Sequence, residues 1–286
     1  MHKGNLEIHA SRGDVEAQLQ LAEQLYEEQE YEQAIYYYKK ALKKNRTEAM
    51  NGLAITYFSA GMEDKYDEAI KLLEKGTKLG DAFSAGNLGL AYRKGVGVEQ
   101  NPEKSFQYFE IAAKQGNMLA MDVIATYYEA GYGVEKSHEK AEECRAIIKE
   151  TERMEQLHTQ LDEICISGNE CMGEGLYQEA RDHFFQAMKM AEENQMVDTY
   201  CWIYAAIGDS YYQEGDYEEA LAYFQDAYYA VEGELNPYVC MMNGICYHET
   251  GKEDEAKAYL KKAYEYGGWQ VFQGEDLKYL AIAREE

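Results

Sequence analysis

Small and large hydrophobic residues recur along this 286-residue chain in an order that predicts pairs of antiparallel helices. In one copy Tyr204, Gly208 and Tyr211 share one helical face, and Ala220 and Phe224 share the next. Helices approach closely only where the crossing residues are small, so Gly208 and Ala220 are expected at the crossings. Twelve positions separate the two small residues in four copies: Ala22 and Ala34, Gly168 and Ala180, Gly208 and Ala220, Gly244 and Ala256.

Three copies between residues 47 and 150 have extra residues between their helices. The small residues are fifteen positions apart in one of these copies and sixteen in the others: Ala54 and Ala69, Gly89 and Ser105, Ala125 and Ala141. Two of the insertions are Gly-Val-Gly-Val at 95–98 and Gly-Tyr-Gly-Val at 131–134. Glycine permits a tight turn there, and a valine of each insertion is expected to pack back between the helices.

The junctions between copies combine a stop signal with a start signal. A glycine can adopt the left-handed conformation that ends a helix, and the Asp or Asn that follows can cap the next one. Three junctions have this pattern: Gly13-Asp14, Gly80-Asp81 and Gly116-Asn117. Each is therefore predicted to separate two helices.

Other segments predict how the array ends and how its halves are joined. Residues 5–11 are expected to form a capping helix, and residues 275–284 a second one through Leu277, Leu280 and Ile282. Residues 134–167 contain neither glycine nor proline, which predicts one long helix or two helices joined tightly. Whether this segment is a hinge or a rigid connection stays open.

The copies resemble two related repeat families. The shorter copies resemble tetratricopeptide repeats, and the longer ones, with Gly-x-Gly-Val and a Gly-Asp/Asn junction, resemble Sel-one-like repeats. The resemblance covers about residues 5–265 and implies an all-α, right-handed α-solenoid, a superhelix of antiparallel helix pairs with about seven repeats plus terminal capping helices. We expect an N-terminal array over residues 1–150 and a C-terminal array over residues 151–286.

The net charge of the chain limits the kinds of partner that we expect. The formal net charge is −25; residues 1–150 contribute −6 and residues 151–286 contribute −19. Phosphate backbones and anionic membrane surfaces need basic protein surfaces, so we expect neither nucleic-acid binding nor membrane binding. A basic partner would be drawn toward the second half, most strongly at low salt.

Signals for chemistry and targeting are sparse. The six cysteines form no C-x-x-C pair and are expected to stay reduced, and no signal-peptide core lies in residues 1–14, so we expect a cytoplasmic protein. No two histidines have the i, i+4 spacing of a helical zinc site, and no phosphate loop or nucleophile elbow occurs. We therefore expect no metal, no cofactor and no enzymatic activity.

The resemblance implies that the first helix of each pair lines a concave groove that binds peptides. In the second half the groove positions include ten candidate contacts: Asp162, Asn169, Met172, Trp202, Asp209, Tyr212, Tyr238, Met241, His248 and Glu249. Trp202 and Tyr238 could instead pack against a neighbouring repeat. In the first half the groove positions include Glu23, Tyr26, Glu27, Asn51, Ile55 and Phe58, with Arg93 and Lys94 adding positive charge.

These features favour a protein–protein interaction scaffold that binds a basic or amphipathic segment of a partner in an acidic, aromatic groove. The alternative is a cytoplasmic sensor for a short signalling peptide. Such a sensor would act through another protein, because the first repeat begins near residue 15 and leaves no room for a DNA-binding helix-turn-helix before it. The C-terminal groove lacks lysine, which disfavours binding of acidic chaperone tails. Self-association through exposed tyrosines is a further hypothesis.

Overall fold

A computed structural model of the chain describes residues 3–284. Over these residues the secondary structure is helical, without strands, which confirms the all-α fold class. Short 3₁₀ segments connect some of the helices. The α-helices are α1 (Lys3–Ser11), α2 (Val15–Glu27), α3 (Tyr31–Leu42), α4 (Thr47–Ser59), α5 (Tyr66–Lys78), α6 (Ala82–Lys94), α7 (Pro102–Lys114), α8 (Met118–Ala130), α9 (His138–Glu174), α10 (Tyr177–Glu193), α11 (Tyr200–Glu214), α12 (Tyr217–Tyr229), α13 (Pro237–Glu249), α14 (Glu253–Gly267) and α15 (Leu277–Arg284).

The chain forms two compact units, which meet in sequence between residues 153 and 154. This boundary falls inside α9, a single helix of 37 residues. The predicted segment without glycine or proline is therefore one long helix, not two joined ones. Its residues 138–153 belong to the first unit and residues 154–174 to the second.

In the first unit, each helix of α2–α7 contacts the next one in sequence, as the repeat pattern predicts. The predicted caps are confirmed at all three junctions. The side chains of Asp14, Asp81 and Asn117 accept hydrogen bonds from the third backbone amide after them, at 3.1, 2.8 and 2.9 Å. These bonds satisfy amide groups that the first turn of a helix leaves unpaired, so the caps fix where α2, α6 and α8 begin.

The insertions of the longer copies are tight turns. Gly95 and Gly131 end α6 and α8 in the left-handed conformation, with φ of 71° and 69°. Val98 and Val134 are half-buried and pack against the hydrophobic cores of the first unit, as predicted. These contacts hold the longer connections against the helix pairs.

The second unit repeats the same packing rule over α10–α14. A β-carbon at Gly208 would lie 3.1 Å from the Phe224 ring, and one at Gly244 would lie 2.6 Å from Leu260 Cγ. The facing residue Ala220 is fully buried. Small residues at the crossings therefore allow the close approach of α11 with α12 and of α13 with α14, as predicted.

Both predicted terminal helices are present in the structure. Leu6 and Ala10 of α1 are buried against the first unit, and Tyr279 and Ala283 of α15 are buried against the second. One detail of the prediction is wrong: Leu277 is 77% exposed, because it is the first residue of α15 and faces away from the core. The other two predicted apolar contacts, Leu280 and Ile282, are half-buried against that core.

Candidate functional site

The structure separates the predicted contacts of the second unit into exposed, paired and buried residues. Asp162 and Asn169 are exposed on α9, and Trp202 is 39% exposed on α11. Trp202, Val231 and Leu235 border a shallow cavity of about 510 Å³. Of the ten predicted contacts, only Asp162, Asn169 and Trp202 are both exposed and without a hydrogen-bonding partner among residues 3–284.

Three other predicted residues, Asp209, Tyr212 and Tyr238, lie together near Glu275. The Tyr238 hydroxyl donates a hydrogen bond to Asp209, and the Tyr212 hydroxyl donates one to Glu275 at 3.3 Å. Burial raises the pKa of Asp209 to about 6, and the charge on Glu275 adds to this increase. Glu275 precedes α15, so the chain's own C-terminal segment lies against this part of the predicted groove.

The last two polar residues of the predicted set are bound by α15 and α14. Glu249 accepts hydrogen bonds from Lys278 Nζ at 2.8 Å and from the Tyr279 hydroxyl at 2.7 Å. These two donors lower the pKa of Glu249 below its usual value. His248 lies 2.9 Å from Glu253 through Nδ1, and its ring packs edge-on against Tyr279. The C-terminal segment therefore occupies the partners that a ligand would need here.

The two predicted methionine contacts face the core. Met241 is 2% exposed and belongs to the same hydrophobic cluster as Phe272, which follows the last helix pair. Its assignment as an exposed groove contact is therefore wrong. Met172 is half-buried against the cluster around Leu161 and Phe184.

The first unit contains an open cleft, which we call the α2–α4 cleft. Its volume is about 420 Å³, and it lies on the first helices of successive pairs, with Tyr38 of α3 beneath. Four predicted groove residues of the first half line it: Glu23, Tyr26, Asn51 and Ile55. The complete lining is Glu16, Leu19, Gln20, Glu23, Tyr26, Tyr38, Arg46, Glu48, Asn51, Gly52, Ile55, Asp81 and Phe83.

Charge in the α2–α4 cleft is predominantly negative. Four carboxylates line it, on Glu16, Glu23, Glu48 and Asp81, against the single guanidinium of Arg46. Arg46 is already paired with two of them, Glu16 and Glu48, the latter at 3.0 Å. Glu23 has no ion-pair partner among residues 3–284 and is exposed to the cleft.

A second cleft continues the same face toward α6. It has a volume of about 360 Å³ and shares Ile55 with the α2–α4 cleft. Asn87 of α6 donates a hydrogen bond to Asn51 of α4 at 2.8 Å, which links the two helices along this face. Phe58, a predicted groove residue, lines this second cleft, and Lys94 contributes positive charge to it. The two clefts thus form adjoining surfaces on α2, α4 and α6: the α2–α4 cleft is apolar and acidic, and the second cleft is apolar with one lysine.

Sequence reasoning missed three important residues of the α2–α4 cleft: Tyr38, Gly52 and Phe83. Tyr38 occupies the same repeat position as Phe224, where a large side chain fills the core, so the repeat pattern gives no sign that it lines a cleft. Gly52 gave a usable signal, because glycine inside a helix often marks a close approach. A β-carbon there would lie 2.8 Å from the Tyr38 hydroxyl and closer still to its ring. The missing side chain thus brings the phenol to the cleft floor.

Comparisons with known families agree with the repeat boundaries. The Sel1 repeat model matches residues 47–81, 82–117 and 119–144. Tetratricopeptide repeat models match residues 16–47, 169–231 and 211–265. Together these ranges overlap each of the seven predicted copies. The chain is a tetratricopeptide repeat protein with Sel1 repeats in its N-terminal half.

Individual relatives of this repeat protein are more distant. It is 32% identical over 109 residues to photosystem I assembly protein Ycf3 of Rippkaea orientalis, which covers 35% of this chain and 58% of that protein. Among solved structures, c5321, a protective antigen of uropathogenic Escherichia coli, has a TM-score of 0.47 at 17% identity, over 99% of this chain and 70% of that one. A Sel1 repeat protein from Oxalobacter formigenes has a TM-score of 0.38 at 18% identity, over 88% and 87% of the two chains. Likenesses at this level transfer no function.

The remaining candidates for chemistry are two buried cysteines and a group of two glutamates and one histidine. Burial raises the pKa of Cys165 to about 11 and that of Cys246 to about 12, so these thiols stay protonated near neutral pH. Ligand atoms of Glu129, His138 and Glu142 lie within 4.8 Å of one another. Arg145 contacts both carboxylates of that group at 2.8 Å, so its guanidinium already neutralises the charge that a metal ion would neutralise.

None of the helices within residues 3–284 has both the length and the apolar character required to cross a bilayer.

Proposed function

We propose that this tetratricopeptide repeat protein is a scaffold that binds a basic or amphipathic segment of a partner protein, chiefly in the α2–α4 cleft. Proteins of this repeat class bind proteins or peptides, so the general role follows from the family. The observation that supports the more specific proposal is the lining of the cleft. It combines uncompensated carboxylates with apolar and aromatic surface, and it is open in the part of the chain that the structure describes.

The charge and shape of the cleft suit such a segment. Excess negative charge attracts lysine and arginine side chains, both at long range and on contact. Leu19 and Ile55 offer apolar contact inside the cleft, and Phe83 stands at its edge with 64% exposure. An exposed aromatic side chain of this size is a good anchor for apolar residues of a partner.

The second unit supplies a further, weaker set of proposed contacts. Asp162, Asn169 and Trp202 are exposed and without hydrogen-bonding partners among residues 3–284. The polar residues nearer the C-terminus are engaged by the chain itself. A ligand would have to replace those hydrogen bonds, which reduces the net free energy that it could gain there.

Fluorescence anisotropy with the full-length protein tests the proposal. The probes are two labelled pools of blocked dodecapeptides, one of lysine, leucine and alanine and one of glutamate, leucine and alanine. We expect the lysine pool to bind tightly, the glutamate pool to bind weakly, and binding to weaken between about 0.05 M and about 0.5 M salt.

The matched variants Glu23→Lys and Glu32→Lys separate the cleft from the net charge. Both change the charge of the first unit equally, but Glu32 is an exposed residue of α3 outside the cleft. We expect Glu23→Lys to weaken binding of the lysine pool about tenfold and Glu32→Lys to weaken it at most about twofold. Equal binding of the two pools would contradict the proposal, and equal loss in the two variants would remove the cleft from it.

A further inference from the structure

The floor of the α2–α4 cleft contains a buried phenol. Tyr38 is only 6% exposed, so more than nine-tenths of its side chain is covered. Its hydroxyl lies beside Gly52, a lining residue of the cleft, because Gly52 has no side chain to cover it. The polar end of Tyr38 therefore points to the cleft and not to the core.

This hydroxyl has no hydrogen-bond partner among residues 3–284. Most of the side chain is buried, but the hydroxyl oxygen is not among the fully buried polar atoms, so it stays accessible from the cleft. Burial raises the pKa of Tyr38, and the charges of Glu23 and Glu27 raise it further. The phenol consequently stays protonated at all physiological pH values and can both accept and donate a hydrogen bond.

The surroundings of the hydroxyl indicate which kind of group would satisfy it. Glu23 is an unpaired carboxylate of the same cleft and one of the charges that act on Tyr38. The nearby cation, Arg46, is bound to Glu16 and Glu48 and does not supply the missing partner. An oxygen that can accept a hydrogen bond, next to an uncompensated negative charge, suits a positively charged donor.

We propose that the α2–α4 cleft is a specificity pocket for one lysine or arginine side chain of the bound segment. The charged head of that side chain donates a hydrogen bond to the Tyr38 hydroxyl and forms an ion pair with Glu23. Its methylene groups lie along Leu19 and Ile55, as long basic side chains commonly do on apolar surface. This inference rests on the proposed function, and it adds a defined pocket to what would otherwise be general electrostatic attraction.

Positional-scanning peptides test the pocket in the full-length protein. The probes are blocked dodecapeptides whose central residue is lysine, arginine, norleucine or Nε-acetyllysine, with flanking positions randomised among alanine, leucine and serine. Norleucine keeps the methylene groups of lysine without its charge. We expect the lysine and arginine pools to bind at least about tenfold more tightly than the norleucine and acetyllysine pools, as expected for a hydrogen bond to a charged group.

Variants of the protein then locate the effect by a double-mutant cycle. Tyr38→Phe removes only the hydroxyl, and Tyr36→Phe is its control, since Tyr36 lies on the same helix, is 53% exposed and is outside the cleft. We expect Tyr38→Phe to weaken the lysine pool about tenfold and the norleucine pool at most about twofold. Glu23→Gln should give the same selective loss; because Glu23 is exposed, this variant does not depend on tolerance of the core.

The outcomes separate this inference from the proposed function. If the lysine and norleucine pools bind equally, or if Tyr38→Phe weakens both by the same factor, the pocket is refuted while salt-sensitive binding stands. If no pool binds, both proposals fail.

Discussion

Gly86 and Gly89 lie three residues apart on α6 and offer a test of the packing rule on which the repeat fold depends. Replacing glycine by alanine inside a helix normally stabilises it by about 1 kcal/mol. At Gly86 the new β-carbon would lie 3.9 Å from Asn117 Nδ2 and 4.0 Å from the Ala112 β-carbon, which are ordinary contact distances. We therefore expect Gly86→Ala to raise the free energy of unfolding by about 1 kcal/mol.

The same substitution at Gly89 meets an aromatic ring. Its β-carbon would lie 2.9 Å from two carbons of the Phe109 ring, although carbon atoms in contact prefer about 3.5–4.0 Å. Phe109 is 4% exposed and packs edge-on against Tyr127 at 5.8 Å, so the ring has little room to move. Overpacking of this kind costs about 1–3 kcal/mol, which exceeds the helix-propensity gain. We expect Gly89→Ala to lower the free energy of unfolding by about 1 kcal/mol.

Urea unfolding followed by far-ultraviolet circular dichroism measures both variants. The two substitutions have the same chemistry, so the expected difference of about 2 kcal/mol between them isolates the contact with Phe109. The comparison uses the transition of the first unit if the two units unfold separately. A Gly89→Ala protein as stable as the Gly86→Ala protein would refute the argument that a close approach at Gly89 requires glycine.

Two further predictions concern the second unit. Since burial raises the pKa of Asp209 to about 6, above the usual value of about 3.9, the folded chain holds a proton that the unfolded chain releases between these pH values. Stability should consequently fall as the pH rises from about 4 to about 6, and Asp209→Asn should remove this fall in urea midpoints; an unchanged pH profile would contradict the assignment. Tyr279→Phe should lower the stability of the second unit by about 1 kcal/mol and speed amide exchange in α15, because it removes the hydrogen bond to Glu249. The exposed residue Tyr266 provides the control Tyr266→Phe. Similar effects of both changes would argue against a specific contribution of the hydrogen bond between Tyr279 and Glu249.

Local signals in the sequence were sufficient to predict the helix pairs. A cap such as Asp81 acts on amides three residues away, and small residues such as Gly208 and Ala220 report their crossings directly. The repeat of these signals gives each copy the same local structure, so the chain order of the helices follows from the pattern. The alternative left open between one and two helices at residues 134–167 required the structure, since the absence of glycine and proline permits both.

The candidate site was less predictable because accessibility depends on distant parts of the chain. Met241 occupies a groove position by its repeat number, yet segments after the last helix pair complete the core around it. The sequence predicts Glu249 as a ligand contact, but in the structure Lys278 and Tyr279 donate hydrogen bonds to its carboxylate. The repeat position of Tyr38 calls for a large core residue, so the pattern alone does not indicate a cleft residue. That its hydroxyl reaches the α2–α4 cleft depends on Gly52, which lies on another helix.

The distribution of charge illustrates why the pairing of individual side chains matters more for affinity than the net charge of each half. Residues 151–286 contribute −19 to the net charge and residues 1–150 only −6, which alone would direct a basic partner to the second half. Long-range attraction does follow total charge, but it mainly accelerates encounter. The free energy of the bound state depends on groups that gain a partner. In the second unit Tyr212 and Glu249 would only exchange one hydrogen bond for another, whereas in the first unit Tyr38 and Glu23 would gain bonds that no residue between 3 and 284 supplies. A basic segment should therefore be attracted by the second half of the chain and held most tightly by the first.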